Sequence, residues 1–363
     1  MIKYPMVRLE DVCDKATSSI AQKDLKNLEG IYPIYGASGF IKNINFYKQD
    51  REYIAIVKDG AGIGRAMILP AFSSVIGTMQ YILPKDNIIT KYLYFAIDSM
   101  NLAKYFTGAT IPHIYFKDYK NEFLPLPPIE NQRSIIKILE SIVSLIIKRK
   151  QQLSEFDELA KSRFLEMFGD PISNSKGWEI TKLEDLGELS RGISKSRPRN
   201  LPELLGGKYP LVQTGDVANS ELYITRYNST YSELGLKQSK MWKAGTLCIT
   251  IAANIAKTAI LKFDACFPDS IVAFKSNGKT NQIFIHYIFS FFQELLESQA
   301  PTVAQKNINL QTLQNLMVIC PPSKFQNDFE SFIQQLDKSK FIIKKSLEKL
   351  EMTYKALLQE YFG

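Results

Sequence analysis

Apolar residues return at alternating three- and four-residue intervals along two stretches of this chain. The first stripe reads Ile135, Leu139, Ile142, Ile146, Arg149, Leu153, Phe156, Ala160, Arg163, Met167; the second reads Phe329, Ile333, Leu336, Lys340, Ile343, Leu347, Leu350, Tyr354, Leu357, Tyr361. A repeat of about 3.5 residues lines such positions up as the seam of a coiled coil. Each stretch opens on Pro-Pro, at 127–128 and 321–322, and closes on Phe-Gly, at 168–169 and 362–363, with neither Gly nor Pro between. The backbone ladder of a helix is therefore uninterrupted, and about 40 helical residues span about 60 Å. The cations Arg149, Arg163 and Lys340 break the apolar stripe, as residues that fix register at some cost in stability do. The seam is read from Ile135, Leu139, Ile142, Ile146, Leu153 and Phe156 in one helix and from Phe329, Ile333, Leu336, Ile343, Leu347 and Leu350 in the other.

Outside these stretches the pattern is shorter and mixed. Tyr53 to Val57, Ala66 to Leu69, Tyr81 to Leu83, Thr246 to Ile251 and Ile271 to Phe274 are apolar runs of strand length. Tyr92 to Tyr105 and Phe284 to Ser298 place aromatic and aliphatic residues at helical spacing, and those stripes are most simply core. The fold class is therefore α/β.

The chain also repeats itself. From Pro127 to Gly169 and from Pro321 to Gly363 the two stretches match at a constant offset of 194, pairing Gln132 with Gln326, Lys150 with Lys344, Leu153 with Leu347 and Glu166 with Glu360. Upstream, Leu9-Glu10-Asp11-Val12 matches Leu183-Glu184-Asp185-Leu186, Tyr32-Pro33-Ile34 matches Tyr209-Pro210-Leu211, and Ile63 to Leu69 matches Ile255 to Leu261. The offset grows from 174 at Leu9 to 177 at Tyr32 and 192 at Ile63, so the second copy is the longer one. The order is globular domain, helix, globular domain, helix, with segments 1–126, 127–170, 171–320 and 321–363. Two such helices in one chain can satisfy each other's seams, and the antiparallel pairing places the globular domains at opposite ends.

A chain of 363 residues exceeds what one core usually organises, which agrees with this division. The net charge of +8 favours a polyanionic partner, nucleic acid being the commonest. Cys13, Cys248, Cys266 and Cys320 show no C-x-x-C spacing, which argues against a zinc knuckle or a secreted disulfide framework. Residues 1–9 lack the order of a signal peptide, and no apolar run approaches the about 20 residues of a membrane helix, so a cytoplasmic protein without a membrane partner is expected. With only His113 and His286, a His-rich metal site or a Ser-His-Asp triad would have to rest on one of them. No metal site and no catalytic centre is expected: neither Pro-Pro pair follows Asn or Asp, as an amine methyltransferase requires, and no compact acidic and lysine cluster for a nuclease's Mg²⁺ is present.

Several segments carry candidate contacts. Asp59 to Gly64 has the closely spaced glycines of a nucleotide loop, but a short apolar strand follows instead of a helix, and the second copy puts Asn254 and Ala256 where Gly62 and Gly64 stand. A tight turn is the better reading. Both copies keep a cation after it, Arg65 and Lys257, suited to phosphate contact or base readout, with a solvated surface charge as the alternative. Lys58 and Gln80 join them in the first copy, Gln213 and Thr214 in the second. Arg191, Lys195, Arg197 and Arg199 stand among small polar residues as an exposed, mobile basic loop able to follow a phosphate backbone. Near the domain ends, His113, Tyr115 and Lys117, and Gln305, Lys306 and Asn307, are side chains that read base edges or cap the following helix.

The run Leu-Pro-Leu-Pro-Pro-Ile-Glu-Asn-Gln-Arg-Ser-Ile leading into a long helix, Phe168-Gly169-Asp170-Pro171, Thr-Gly-Asp at 214–216 and the doubled order of segments together resemble the specificity subunits of Type I restriction-modification systems, over the whole chain. The second copy departs in reading Pro-Pro-Ser-Lys-Phe-Gln, without the Glu of the first. The resemblance implies two mixed α/β target-recognition domains in tandem pseudo-symmetric repeat, separated by two long antiparallel coiled-coil helices. It implies that each domain contacts one half of a split, asymmetric site in double-stranded DNA, that the helices set the spacer, and that two methyltransferase subunits and restriction or motor subunits are partners. S-adenosylmethionine, ATP and Mg would belong to those partners and none to this chain. A tandem-domain adaptor that recruits proteins without reading DNA is the competing reading, and an enzyme with an unrecognised site is a third.

Overall fold

Residues Ile129–Phe168 and Ser323–Phe362 each form one uninterrupted helix of 40 residues. In the computed structural model the described residues are 4–108, 112–299 and 308–363. The chain divides into two compact units, Met1–Gln152 with Ile343–Gly363, and Leu153–Ile342. Each long helix thus contributes one half to each unit. The division falls within the helices, whereas the expected segments end at 126, 170 and 320.

In the first unit a four-stranded antiparallel sheet runs in the order Cys13–Thr17, Met79–Pro84, Tyr53–Val57, Ala66–Leu69. The central strand Tyr53–Val57 is buried on both faces, which explains its unbroken apolar sequence. A second sheet orders Gly39–Ile44, Tyr32–Gly36 and Ser74–Val75, and Met6–Arg8 pairs with Phe123–Pro125 beside the first long helix. The helix expected from Tyr92 to Tyr105 is shorter, Thr90–Ser99, because Asn101 takes the left-handed conformation at φ 48° and a short 3₁₀ turn follows. The seam residues Ile135 and Leu139, the neighbouring Ile136, and Leu358 and Phe362 of the second long helix all enter the core around Tyr92, Leu93 and Ala96. Lys150 pairs with Glu351 at 3.0 Å while the earlier Ile135 and Leu139 share a core with the later Leu358 and Phe362, so these helix halves run antiparallel.

The second unit repeats the plan with additions. Its larger sheet orders Gly187–Arg191, Ile271–Ser276, Leu247–Thr250, Thr258–Leu261 and Tyr223–Ile224, the last pairing parallel. Its smaller sheet orders Ser229–Tyr231, Leu205–Leu211, Ala265–Cys266 and Met241–Trp242, and Ile180–Lys182 pairs with Met317–Ile319. Helix Gln282–Gln299 packs across the larger sheet. Phe164 lies against Phe329 with ring centroids 5.5 Å apart, and Lys340 pairs with Asp157, which again requires antiparallel halves. Phe329, Ile333 and Leu336 are buried; Ile142, Ile146, Leu153, Phe156, Ile343, Leu347 and Leu350 are half-buried.

The matched glutamines Gln132 and Gln326 are 0% and 1% exposed and do equivalent work. Gln132 accepts from Ile89 N at 2.9 Å and donates to Asn87 O and Pro127 O; Gln326 accepts from Thr280 Oγ1 at 2.7 Å and donates to Lys279 O and Pro321 O. Each ties the Pro-Pro start of a long helix to the loop entering the helix packed on the sheet. Buried amides without such partners would be strongly destabilising.

His286 sits on helix Gln282–Gln299 against the larger sheet. Its Nδ1 lies 2.9 Å from Thr258 Oγ1, and burial, against the raising effect of Thr258 and with nearby Lys340, holds its pKa down at about 4. The folded protein keeps this imidazole neutral while an unfolded chain protonates it near 6.5. Stability is thus full above about pH 6.5 and falls as the pH drops towards 4. Urea midpoints measured across pH 7 to 4 should decline, and His286→Gln should flatten that part of the decline.

Candidate nucleic-acid interface

At one end of the first unit's larger sheet, strand Tyr53–Val57 turns back through residues 58–65. Gly64 N donates to Val57 O and Val57 N to Arg65 O, at 2.8 and 2.9 Å, and Gly60, Gly62 and Gly64 all have φ between +81° and +84°. Gly64 has a second reason to lack a side chain, since a Cβ there would lie 2.6 Å from Ala103 N. The glycines therefore serve a tight turn. In the second unit the corresponding turn folds with Ala253 and Ala256 at φ 65° and 60°, held by Ala256 N donating to Thr250 O and Lys257 N to Thr250 Oγ1. A hydroxyl from the sheet compensates for the missing glycine.

The first turn is zipped to residues 112–114: Gly60 N donates to Pro112 O and Ile114 N to Lys58 O, both at 2.9 Å, and His113 bridges Asp59 and Thr107. The exposed ring of Tyr115 stands edge-on to His113 at 5.0 Å, with the Lys117 ammonium 5.2 Å from its centre. The exposed Arg65 guanidinium donates to Ala37 O, in the turn between strands Tyr32–Gly36 and Gly39–Ile44. Lys58, half-buried, pairs with Asp59 at 3.4 Å. The fold thus brings Lys58, Arg65, His113, Tyr115 and Lys117 together with a hairpin carrying the exposed Phe40, which sequence reasoning missed because its small residues give no charge signal. Gln80 does not belong here. It is 3% exposed and its Oε1 accepts from the buried Tyr119 hydroxyl at 3.1 Å, so it is a core residue.

In the second unit the basic loop is exposed, but it is anchored and not loose as expected. Arg197 Nη2 and Arg199 Nη2 lie 3.2 and 2.5 Å from the two carboxylate oxygens of Asp269, and Arg191 Nε donates to Asp269 O at 2.9 Å. Gln238 Oε1 accepts from Lys195 N and Ser196 N. Next to Asp269, Ser270 O accepts from Ile251 N at 3.0 Å, so the loop and the turn bearing the exposed Asn254 and half-buried Lys257 share one end of the sheet. Gln213 and Thr214 open the short helix Thr214–Ala218: Asp216 caps Gln213 N at 2.8 Å and accepts from Asn228, while Gln213 Nε2 reaches Ser229 Oγ at 3.3 Å. Thr-Gly-Asp is here a helix start. Gln305, Lys306 and Asn307 lie outside the described residues. Among the described residues no group of three or more His, Cys, Asp or Glu is arranged to hold a metal ion, and no helix is long and apolar enough to cross a membrane.

The family model of the Type I restriction modification DNA specificity domain matches residues 1–155 and 175–352, once in each half of the repeat. A Type I restriction enzyme specificity subunit of Methanocaldococcus jannaschii is 22% identical over 346 residues, covering 87% of this chain and 79% of the relative. A putative subunit of the same kind from Haemophilus influenzae is 20% identical, covering 92% and 86%. Among solved structures, the S subunit of a Type I restriction-modification system from M. genitalium matches the fold over 100% of this chain and 96% of its own, with TM-score 0.58 and 16% identity. A chain from a structure described as underlying complex assembly and conformational transition of the type I system matches equally, with TM-score 0.58 and 16% identity over 99% and 98%. With both repeats matched, and the fold shared end to end, the chain belongs to the Type I restriction-modification DNA specificity subunit family.

Proposed function

We propose that each unit reads one half of a bipartite asymmetric DNA site and that the two long helices set the gap between the halves. The observation that carries this is the recurrence, at the same end of the larger sheet in both units, of a tight turn presenting a cation, Arg65 or Lys257, with further basic side chains at that end. Cations position the duplex through phosphates, while Arg, Lys, Asn and Gln read base edges in the major groove. The contacts are assigned to Lys58, Arg65, His113, Tyr115 and Lys117 in one unit, and to Arg191, Lys195, Arg197, Arg199, Gln213, Thr214, Asn254, Lys257 and residues 305–307 in the other.

In this reading the chain does no chemistry. It directs methyltransferase subunits and a restriction and motor subunit, which would carry S-adenosylmethionine, ATP and Mg²⁺. Apolar side chains left exposed along the helices, Ile138, Ile147 and Met352 in the first unit and Leu159 and Ile342 in the second, support docking of protein partners there. Family membership removes the ground for the adaptor without DNA.

Selection of bound duplexes from a random pool by the co-purified complex tests the reading. A split motif should be enriched, and Arg65→Ala should relax one half of it only. Equal loss of both halves would remove Arg65 from the interface, and no enriched motif would overturn the reading.

A further inference from the structure

We propose that Asp269 is a positioning residue that sets specificity in the second unit, by restraining arginines that would otherwise grip phosphates of any sequence. The inference rests on the reading of that unit as a DNA interface. Asp269 lies in the turn before strand Ile271–Ser276; its Oδ2 accepts from Arg197 Nη2 at 3.2 Å, and Arg199 Nη2 forms an ion pair with Oδ1 at 2.5 Å, outside hydrogen-bond geometry. Arg197 is held further, Nη1 donating to Ser194 O and Ser196 O at 2.6 and 2.8 Å. One carboxylate thereby pairs with two cations, Arg197 and Arg199, while a third, Arg191, holds the same residue's backbone carbonyl.

That arrangement acts differently on the two kinds of binding. Binding to arbitrary sequence is driven by the number of phosphates neutralised and the counterions released, so a carboxylate inside the basic patch subtracts from it directly. Reading a base needs a guanidinium fork held in one orientation, and Asp269 supplies the hold. Because the side chains are 30%, 55% and 42% exposed, the pairs are of the solvent-screened kind that a correctly placed acceptor can displace. The first unit has no acidic residue at the matching position: its corresponding edge strand Cys13–Thr17 runs into Ser18, Ser19 and Ile20, the turn before Met79–Pro84 carries Gly77 and Thr78, and its patch carboxylate, Asp59, pairs with Lys58 at 3.4 Å.

The test measures the full chain, co-purified with its methyltransferase partner, on a random-sequence duplex across a salt series, followed by mapping of the methylated motif. Asp269→Asn keeps the shape and removes the charge. It should bind the random duplex roughly threefold to tenfold more tightly and steepen the log–log salt dependence by about one. The motif should become degenerate in the second half while the first half is kept. Asp269→Glu, which keeps the charge, should retain the original salt dependence; a Glu variant that behaves like Asn would overturn the proposal. So would an Asn variant with unchanged or weaker random-sequence binding, and if the unmutated complex still selects a split motif, only the role of Asp269 falls. A parent complex whose DNA affinity is indifferent to salt would sink the underlying reading as well.

Discussion

Phe168→Ala is expected to destabilise the second unit by about 3–5 kcal/mol, the range for an aromatic ring removed from a packed core. The ring is fully buried, with centroids 5.0 Å from Phe164, 4.9 Å from Phe284 and 5.6 Å from Phe329. It joins the end of one long helix, the start of the other and the helix on the sheet, so the cavity borders three elements and has no flexible side to collapse into. Phe362 is its counterpart in the first unit, 5.1 Å from Tyr92. Hydrogen exchange resolved along the chain should show lost protection in residues 153–342, with far smaller change in the first unit's sheet. A loss below about 1 kcal/mol would mean that the aromatic cluster relaxes freely, contrary to the packing described.

The second large effect concerns geometry. Inserting one heptad in each long helix at matching positions keeps both seams in phase and adds about 10 Å of helix. If the helices set the gap, the methylated motif should keep both half-sites and widen its spacer by about three base pairs, at the duplex rise of about 3.4 Å per base pair. The original motif should no longer be methylated. An insertion in one helix alone should break the pairing of Lys150 with Glu351 and of Lys340 with Asp157, and abolish assembly. An unchanged spacer in the doubly lengthened protein would refute the ruler.

The long helices were legible because a 3.5-residue stripe without Gly or Pro admits no other backbone, and the internal repeat exposed the doubled plan. The deepest helix contacts were less so. Phe164, Phe168, Leu358 and Phe362 lie off the seam that the period picks out, since each helix end is covered by a sheet-packed helix as well as by its partner. Leu139 was found because it serves both neighbours. The interface showed the reverse bias. Arg65 and Lys257 stood out as charges on matched turns, whereas Asp269 and the hairpin at Ala37 to Phe40 gave no signal, because their part depends on strands distant in sequence. Gln80 was misplaced for a related reason: alternation along Met79–Pro84 does not reveal that both faces of that strand are covered.

The central claim is that this chain aims a methyltransferase at a split sequence. Its most direct test is to co-express the chain with a Type I methyltransferase subunit that co-purifies with it, in a methylation-free host, and map modified adenines by long-read sequencing. The account predicts a two-part motif with a fixed gap, present only when this chain is present. An unmodified genome despite stable co-purification of the two proteins would contradict it.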